Sequence, residues 1–216
     1  MLRQARSITC ERTGGEIGAL LREAQLIKLR QPLYNQKLRR SRQLCALRLD
    51  AKGLPEVVYA RDLNFATTPE LFGLYGSRMG ALDALRALAD QHRLCYGRLG
   101  LERLAPGRGC FRASIRQCAG ACRGDETVQA HQDRLLAALE ELRVVCWDWP
   151  GAVGLRESDG QGCTRVHVIR HWCYLGSVED AAQALELDQP AAGFDADGYR
   201  VLCRPLLTGR VDLIPL

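Results

Sequence analysis

The amino-acid sequence predicts an α+β protein built from several small layers. Apolar residues recur at helical spacing in three separate stretches, and shorter apolar runs bounded by Gly, Asp or Pro are typical of strands and hairpins. Between residues 95 and 124 the composition shifts to Gly, Arg and Cys, and the periodicity disappears. That segment has few ways to order itself by burial alone, so it predicts a different source of order.

The composition is that of a globular protein. The 216 residues are 47% hydrophobic and 25% charged, which is ordinary for a folded domain. The first twenty residues mix Arg and Glu with small polar residues, unlike a secretory signal. No uncharged apolar run approaches the roughly 20 residues that a membrane span needs. We therefore expect a cytoplasmic protein with no membrane partner.

Positive charge is concentrated in residues 1–48. This segment holds 11 Lys and Arg against three Glu, a net charge of +8, while the whole chain carries +5. Such an asymmetry favours a polyanionic partner, most simply nucleic acid, over a uniformly solvated surface. A basic face that is merely solvated is the alternative.

The N-terminal part predicts a short strand over residues 6–12 and a helix over residues 15–30. Thr13-Gly14-Gly15 separates the two, and Pro32 lies just past the helix, where a helix does not easily continue. The helical spacing is carried by Ile17, Leu20, Leu21, Ala24 and Ile27.

The middle part predicts a hairpin and two helices. Residues 44–49 and 57–60 have strand-like composition and are joined around Lys52-Gly53. Ser77 is a good N-cap for a helix that ends near residue 94. A further amphipathic helix is predicted over residues 127–144.

The C-terminal part begins where Pro150-Gly151 breaks the preceding helix. Residues 152–157 and 164–171 predict a hairpin that turns at Asp159-Gly160. A short helix over residues 177–187 and two final strands, near 199–204 and 212–215, complete the expected order.

Several motifs resemble a known family. The segment Leu20-Leu21-Arg22-Glu23-Ala24-Gln25-Leu26-Ile27-Lys28 and the following Gln31-Pro32-Leu33-Tyr34-Asn35 resemble the second half of the GIY-YIG nuclease domain, which reads LLEANLIK and then RPxYN in UvrC-type proteins. Phe72-Gly73-Leu74-Tyr75 resembles that family's FGPY. Residues 147–150 and 171–176 are most similar to the short UvrC homologues of the Cho type. Nearly the whole chain is thus similar to UvrC/Cho-type excinucleases.

This resemblance implies three parts. Residues 1–48 would be the C-terminal part of a GIY-YIG α/β nuclease domain, and residues 49–145 a UvrC-like linker with a helical four-cysteine segment. Residues 146–216 would form a small, β-rich α+β domain.

The resemblance implies that Glu23 binds a divalent metal. On a helical wheel Glu23 falls beside Leu20 and Ile27, at the edge of the apolar stripe, which predicts a half-buried carboxylate. A hard cation such as Mg²⁺ or Mn²⁺ suits one carboxylate completed by waters and phosphate oxygens. The alternative is a solvated glutamate paired with Arg22 or Lys28.

The resemblance also assigns Asn35 to the catalytic site, where its amide would hold the phosphate or the local turn. Basic residues nearby would contact DNA phosphates and supply affinity without sequence choice. These residues are Lys28, Arg30, Lys37, Arg39, Arg40 and Arg42.

Two motifs of the family do not occur in the sequence. Neither Gly-Ile-Tyr nor Tyr-Ile-Gly is present among the 216 residues. The resemblance places a water-activating Tyr in those motifs and a phosphate-stabilising Arg upstream. We therefore expect these 216 residues to be catalytically incomplete and to cut DNA poorly alone.

Four cysteines predict a metal centre. Cys95, Cys110, Cys118 and Cys122 are spaced C-x14-C-x7-C-x3-C. Four thiolates can close a tetrahedral zinc site or hold a 4Fe–4S cluster. Zinc sites usually show two short spacings and only one is short here, and the family carries a similar quartet with an iron–sulfur cluster, so 4Fe–4S is the preferred hypothesis. Ordinary buried thiols are the alternative.

A weaker pattern comprises Cys163, His167, His171 and Cys173, which alternate along one predicted strand. Their linear spread makes a compact zinc tetrahedron awkward, so ordinary hairpin packing is favoured. His131 has no evident partner and is predicted at the surface.

The resemblance implies a DNA-repair endonuclease. It would make a 3′-side incision near bulky lesions in nucleotide excision repair, acting on damaged duplex DNA with UvrB as a further partner. The alternatives are a non-catalytic DNA- or UvrB-binding remnant and the C-terminal part of a proofreading-exonuclease fusion.

Overall fold

The protein divides into two compact units in the computed structural model, which describes residues 6–32, 43–105, 108–187 and 193–216. Unit 1 comprises Met1–Arg40 and Trp147–Leu216, and unit 2 comprises Ser41–Cys146. Unit 1 therefore brings together the two ends of the sequence. Within the described residues, no helix combines the length and the apolar character needed to cross a bilayer.

Helices and strands alternate in short runs along the chain. In chain order they are α1 (Glu16–Arg30), β1 (Cys45–Leu49), β2 (Pro55–Tyr59), β3 (Phe72–Tyr75), α2 (Arg78–Gln91), α3 (Phe111–Ser114), α4 (Val128–Glu140), β4 (Val153–Ser158), β5 (Thr164–Arg170), β6 (Cys173–Val178), a 3₁₀ turn (Gln183–Leu187), α5 (Ala196–Leu207) and β7 (Asp212–Pro215).

Unit 2 contains an antiparallel sheet of order β2-β1-β3. Its main core joins β1 to helices α2 and α4 through Leu47, Leu85 and Leu139. The predicted hairpin and both predicted helices are confirmed. The Ser77 hydroxyl accepts from the Gly80 amide and the Thr127 hydroxyl from the Ala130 amide, so side chains cap both helix N-termini.

Unit 1 contains an antiparallel sheet of order β6-β5-β4-β7. The predicted hairpin is confirmed as β4 and β5, which pair from Val153↔Ile169 to Ser158↔Thr164. Helix α1 is confirmed within a residue of its predicted bounds, and it contacts α5 and β6. The N-terminal helix is therefore packed on the C-terminal sheet.

Three predicted elements are wrong. Residues 6–12 are exposed and form no strand among the described residues, because they have no sheet edge to pair with. Residues 199–204 lie in helix α5, whose buried Gly198, Leu202 and Leu206 follow helical spacing rather than alternation. The helix expected from residue 177 is instead the end of β6 followed by the short 3₁₀ turn.

The β5–β6 hairpin turns on two bulky residues in the left-handed region. His171 and Trp172 have φ of 52° and 64°, a conformation that costs free energy for residues other than Gly, Asn and Asp. Trp172 is fully buried. Its ring packs edge-on against Trp147, with centroids 5.2 Å apart, and against Tyr199 at 5.1 Å. Burial of this large aromatic side chain stabilises the turn.

Candidate functional site

Glu23 lies on the exposed side of α1. The helix buries a stripe formed by Gly18, Leu21, Ala24 and Ile27, and Glu23 falls outside it. The prediction of a half-buried carboxylate is therefore wrong, because the side chain is exposed among the described residues. An exposed carboxylate can bind a solvated cation without a large desolvation cost.

Glu23 borders a groove of about 350 Å³ between α1 and the segment before it. Glu11, Arg22 and Arg30 also line this groove. Arg22 contacts both carboxylate oxygens of Glu11, at 2.8 and 3.1 Å, and it also donates to Gln25. Among the described residues, no hydrogen bond or ion pair engages the Glu23 carboxylate. Pairing with Arg22 or Lys28, the alternative from the sequence, is not observed.

Lys28 has carboxylate partners within unit 1. Its ammonium lies 3.1 Å from Asp197 and also contacts Asp195. Arg30, by contrast, is exposed at the groove. The remaining predicted residues, Asn35, Lys37, Arg39, Arg40 and Arg42, lie outside the described part of the chain.

The N-terminus of α1 is capped by a residue of the C-terminal sheet. Its own N-cap, Gly15, has no side chain to offer. Instead, the Glu157 carboxylate on β4 accepts from the Ile17 amide at 3.1 Å and from the Gly18 amide at 2.7 Å. A negative charge at a helix N-terminus is favourable, because it faces the free amides and the positive end of the helix dipole.

His167 on β5 supports this carboxylate from below. Its Nε2 lies 3.0 Å from Glu157 Oε2, and its Nδ1 lies 2.6 Å from the Ser177 hydroxyl. The Ser177 oxygen also lies 2.5 Å from the Tyr174 hydroxyl. Burial lowers the pKa of His167, and this outweighs the opposing attraction of Glu157. A neutral ring that donates from Nε2 to the carboxylate then accepts from Ser177 at Nδ1.

The four predicted cysteines converge in unit 2. The Sγ atoms of Cys95 and Cys110 are 3.6 Å apart, and those of Cys110 and Cys118 are 3.8 Å apart. The sulfurs of Cys95, Cys110 and Cys122 all lie within 4.8 Å of one another. With Ala113 and Ala121 they form a small core of their own. None of these thiols is in a disulfide.

This spacing fits a single tetrahedral ion. Sulfurs bound to one zinc ion at about 2.3 Å lie about 3.8 Å apart, close to the separations seen here. A 4Fe–4S cluster binds each cysteine to a different iron, so it requires wider separation of the same four sulfurs. The residues present can therefore hold either group, the cluster only after the thiols move outward.

The thiols differ in how readily they ionise. Burial raises the pKa of Cys95 to about 12, helped by its contacts with the neighbouring thiols, and burial also raises the pKa of Cys118. Burial acts on Cys110 too, but hydrogen bonds from the Ala113 amide and from the other thiols outweigh it and lower its pKa. Bound metal replaces the protons of all four, since thiolate is the ligand form.

His131 supports the quartet, which the sequence interpretation missed. It was predicted at the surface, but it is 3% exposed. Its Nε2 accepts from the Cys95 amide at 3.0 Å. The signal was present in the sequence, since His131 precedes Leu135 and Ala138 at helical spacing on the apolar stripe of α4.

The weaker Cys and His pattern forms no candidate metal site among the described residues. His167 engages Glu157 and Ser177 instead. His171 lies in the β5–β6 turn, and the Cys173 thiol contacts the Gly193 carbonyl. Ordinary hairpin packing, the favoured interpretation, agrees with these contacts.

Two family models match the chain. Residues 44–141 match the model described as "UvrC/Cho excinuclease, middle domain", and residues 152–216 match "Excinuclease Cho C-terminal domain". No solved structure matches the chain.

Curated relatives match along the whole chain. Excinuclease Cho of Salmonella typhi is 53% identical over 216 residues, which cover 100% of this chain and 73% of the relative. The protein of the same name from Escherichia coli K12 is 52% identical over 216 residues, which cover 72% of its length. The UvrABC system protein C of Porphyromonas gingivalis is 29% identical over 147 residues, 66% of this chain and 24% of the relative. With this identity along its full length, the chain belongs to the UvrC/Cho family of excinucleases, which are structure-specific endonucleases, and within that family to excinuclease Cho.

Proposed function

We propose that this chain contributes the metal-binding carboxylate of an endonuclease that makes a 3′-side incision near bulky lesions in nucleotide excision repair. The observation that carries the proposal is Glu23, an exposed carboxylate without a partner among the described residues, set in a groove beside two arginines. Its position matches the carboxylate of the GIY-YIG helix motif. Damaged duplex DNA is the proposed substrate, and UvrB is a proposed partner.

The groove residues suit phosphodiester hydrolysis. A bound Mg²⁺ or Mn²⁺ would act as a Lewis acid on the scissile phosphate. Glu23 would hold that ion, and Arg30 would contact a neighbouring phosphate, since arginine matches phosphate geometry through two parallel N–H donors. Asn35 and the basic residues Lys37, Arg39, Arg40 and Arg42 would extend the DNA contact. Because Lys28 is paired with Asp195 and Asp197, its proposed DNA contact would require that pairing to open.

The 216 residues alone are proposed to cut slowly. The water-activating Tyr and the phosphate-stabilising Arg belong, by resemblance, to motifs that the sequence does not contain. Metal and DNA binding, however, depend on residues that it does contain. The alternative function, a non-catalytic DNA- or UvrB-binding protein, predicts binding without any dependence on Glu23.

The test compares Glu23→Gln with Glu16→Gln, an exposed carboxylate on the same helix. Incision of a duplex with one bulky adduct is measured with UvrA, UvrB and Mg²⁺ or Mn²⁺. The chain is assayed alone and joined to the part of the Escherichia coli relative that it does not match. We expect Glu23→Gln to lower the incision rate of the joined protein by about 100-fold or more, and Glu16→Gln to leave it unchanged. Equal rates for both variants would exclude Glu23 as the metal ligand.

For the cysteine quartet we propose a 4Fe–4S cluster that orders residues 95–124, as the family resemblance implies. Zinc is the second candidate, because the sulfur spacing fits one tetrahedral ion. Anaerobic purification followed by iron and zinc analysis decides between them. About four irons per chain with visible absorbance support the cluster, whereas one zinc per chain supports the second candidate. A stably folded, metal-free protein would exclude both.

A further inference from the structure

The contact between α1 and the C-terminal sheet is too close for any side chain larger than that of glycine. A Cβ atom at Gly15 would lie 2.5 Å from Glu157 Oε1, and one at Gly18 would lie 2.4 Å from the His167 ring. Both distances are well inside van der Waals contact. The first turn of α1 therefore approaches the sheet to a distance that fixes its axial position.

The other end of α1 is held by a second part of the C-terminal region. Lys28, in the last turn, contacts Asp195 and Asp197 at the start of α5. Asp195 is also the N-cap of α5, since its carboxylate accepts from the Asp197 amide. Lys28 is thus held by a structured helix end and not by a free surface acid.

Glu23 lies midway between these two anchors. It follows Gly18 by five positions and precedes Lys28 by five positions along a 15-residue helix. The contacts at either end restrain both sliding and rotation of the helix, and each would displace the carboxylate. A misplacement of about 1 Å in a catalytic group can cost about 100-fold in rate.

Resting on the function proposed for Glu23, we propose that the C-terminal sheet is part of the nuclease site. Glu157 and His167 are positioning residues: Glu157 caps the helix that carries the metal ligand, and His167 holds the cap. Residues Ser177 and Tyr174 complete the hydrogen-bond chain that orients the His167 ring. The domain after residue 152 then acts on catalysis through the placement of α1.

Hydrogen exchange of α1 tests the anchor without reference to activity. In the full chain, Glu157→Ala is expected to raise amide exchange across residues 17–24 by about tenfold or more, while β4 and β5 keep their protection. Glu157→Gln, which retains the length and one acceptor oxygen, is expected to restore more protection than the shorter Glu157→Asp. Asp212→Asn removes an exposed ion pair of the same sheet and is the matched control. Unchanged exchange in both Glu157→Ala and Glu157→Gln would overturn the anchor.

Incision kinetics of the joined protein test the consequence. If Glu157 positions Glu23, kcat falls by about 10- to 100-fold while KM for the damaged duplex stays within twofold of the parent. Near-ultraviolet circular dichroism of the tryptophans verifies that the sheet is folded. Faster α1 exchange with unchanged kcat would overturn the positioning role. An inert Glu23→Gln would instead sink the function proposed for Glu23, and the exchange data would still report on the anchor.

The cysteine segment carries a second, independent signal. Residues 93–123 contain seven arginines, no lysine and one carboxylate, Glu102. Arg112 pairs with Asp90 and Arg123 with Asp125. Glu102 accepts from the Phe111 amide, so it does not neutralise a guanidinium there.

Three of these arginines are free of partners within the described chain. Arg103, Arg108 and Arg116 are exposed, and no ion pair or hydrogen bond engages their guanidinium groups there. Exposed apolar side chains lie between them in sequence: Phe111 is 66% and Ile115 is 45% exposed. The core beneath consists only of cysteines and alanines, so it offers no space to bury these larger side chains.

We infer that this arginine surface, defined by Arg103, Arg108, Arg116 and Phe111, binds the phosphate backbone of DNA. Guanidinium groups match phosphate oxygens in pairs, and an exposed aromatic ring offers a face for a base. Because the cysteine core holds the segment, metal ligation and DNA contact are coupled here.

The test replaces three arginines with glutamine at once. The variant Arg103→Gln/Arg108→Gln/Arg116→Gln is compared with Arg61→Gln/Arg86→Gln/Arg123→Gln, which removes the same charge from arginines that already pair with carboxylates. Fluorescence anisotropy with labelled duplex DNA is measured across a salt series. The first variant should lose affinity at least tenfold, and its slope of log affinity against log salt should fall by about 2 to 3. Equal losses in both variants, or loss of polyglutamate binding with DNA binding intact, would overturn the inference.

Discussion

His131 and His167 are the buried histidines of the described chain, and each uses a ring nitrogen to hold a neighbouring group in place. His131 accepts from the Cys95 amide in unit 2, and His167 contacts Glu157 in unit 1. Burial lowers the pKa of both rings. Each therefore serves the fold in its neutral form.

Replacement of His131 should loosen the cysteine segment. His131→Phe fills similar volume but leaves the Cys95 amide without an acceptor, which should cost about 1–3 kcal/mol of unfolding free energy. His131→Gln retains an acceptor and is expected to cost less. Urea unfolding followed by far-ultraviolet circular dichroism measures both. A Phe variant as stable as the parent would show that water or another group satisfies the amide.

Acid should weaken unit 1 through His167. Because its pKa is lowered from the ordinary 6.5 by burial, the unfolded chain binds the proton more tightly than the folded one. The stability contribution is therefore complete above the unfolded pKa and is lost as pH falls through the folded pKa. One such group gives a slope of at most about 1.4 kcal/mol per pH unit. Tryptophan-monitored unfolding of parent and His167→Gln across that range tests this, and identical slopes would contradict it.

Glycine has opposite consequences in two helices. At Gly18 an added methyl meets the His167 ring at 2.4 Å, whereas at Gly80 in α2 the nearest atom is the Ser77 hydroxyl at 3.4 Å. The intrinsic helix preference for alanine, about 1 kcal/mol, is the same at both positions. Packing against the sheet therefore decides the sign.

Gly18→Ala should destabilise unit 1, while Gly80→Ala should stabilise unit 2 by about 0.5–1 kcal/mol. The ring that faces residue 18 has to move or the helix has to withdraw, which breaks the contacts of Glu157 with the Ile17 and Gly18 amides. Thermal unfolding and hydrogen exchange of α1 measure the effect. Should Gly18→Ala prove as stable as the parent, the close approach of helix and sheet would be wrong.

Sequence periodicity predicted the elements that bury a regular face and failed where local signals conflicted. Helix α1 and the β4–β5 hairpin follow their patterns closely. In α5, Pro205 inside the helix and the β-favouring Tyr199 and Val201 obscured the helical spacing of its buried residues. Short-range preference is a weak guide when tertiary packing decides.

The candidate site was predictable where it lies in one motif. Glu23 and the cysteines follow from local spacing and resemblance. Glu157 was not predictable, because its role depends on a contact between residues 140 positions apart, and a single sequence carries no signal for that pairing. The glycines at residues 14, 15 and 18, at a helix start without a side-chain cap, were the available hint.

At the scale of the whole molecule, the two chemistries are segregated. The three tryptophans, Trp147, Trp149 and Trp172, all belong to unit 1, and the cysteine quartet belongs to unit 2. Tryptophan fluorescence therefore reports on one unit and metal content on the other.

Loss of the metal centre should affect unit 2 alone. In Cys118→Ser, metal content should drop and amides of residues 95–124 should exchange at least about tenfold faster, because ligation contributes folding free energy in a segment with so small a core. The urea midpoint from tryptophan fluorescence should match that of the parent. Cys203→Ser, in α5 and outside the quartet, is the control. A shifted tryptophan midpoint in Cys118→Ser would show that the units are energetically coupled.

The capping of α1 by Glu157 has a consequence for biosynthesis. The ribosome emits the helix early, but its cap is 140 residues later in the chain. At about 5–20 residues per second, translation takes roughly 7–28 s to supply it. During that interval the metal-binding helix lacks its partner, so a nascent or prematurely terminated chain would carry the acidic residue without holding it in register. Nuclease competence would thus depend on complete translation, which protects the chromosome from unfinished copies of the enzyme.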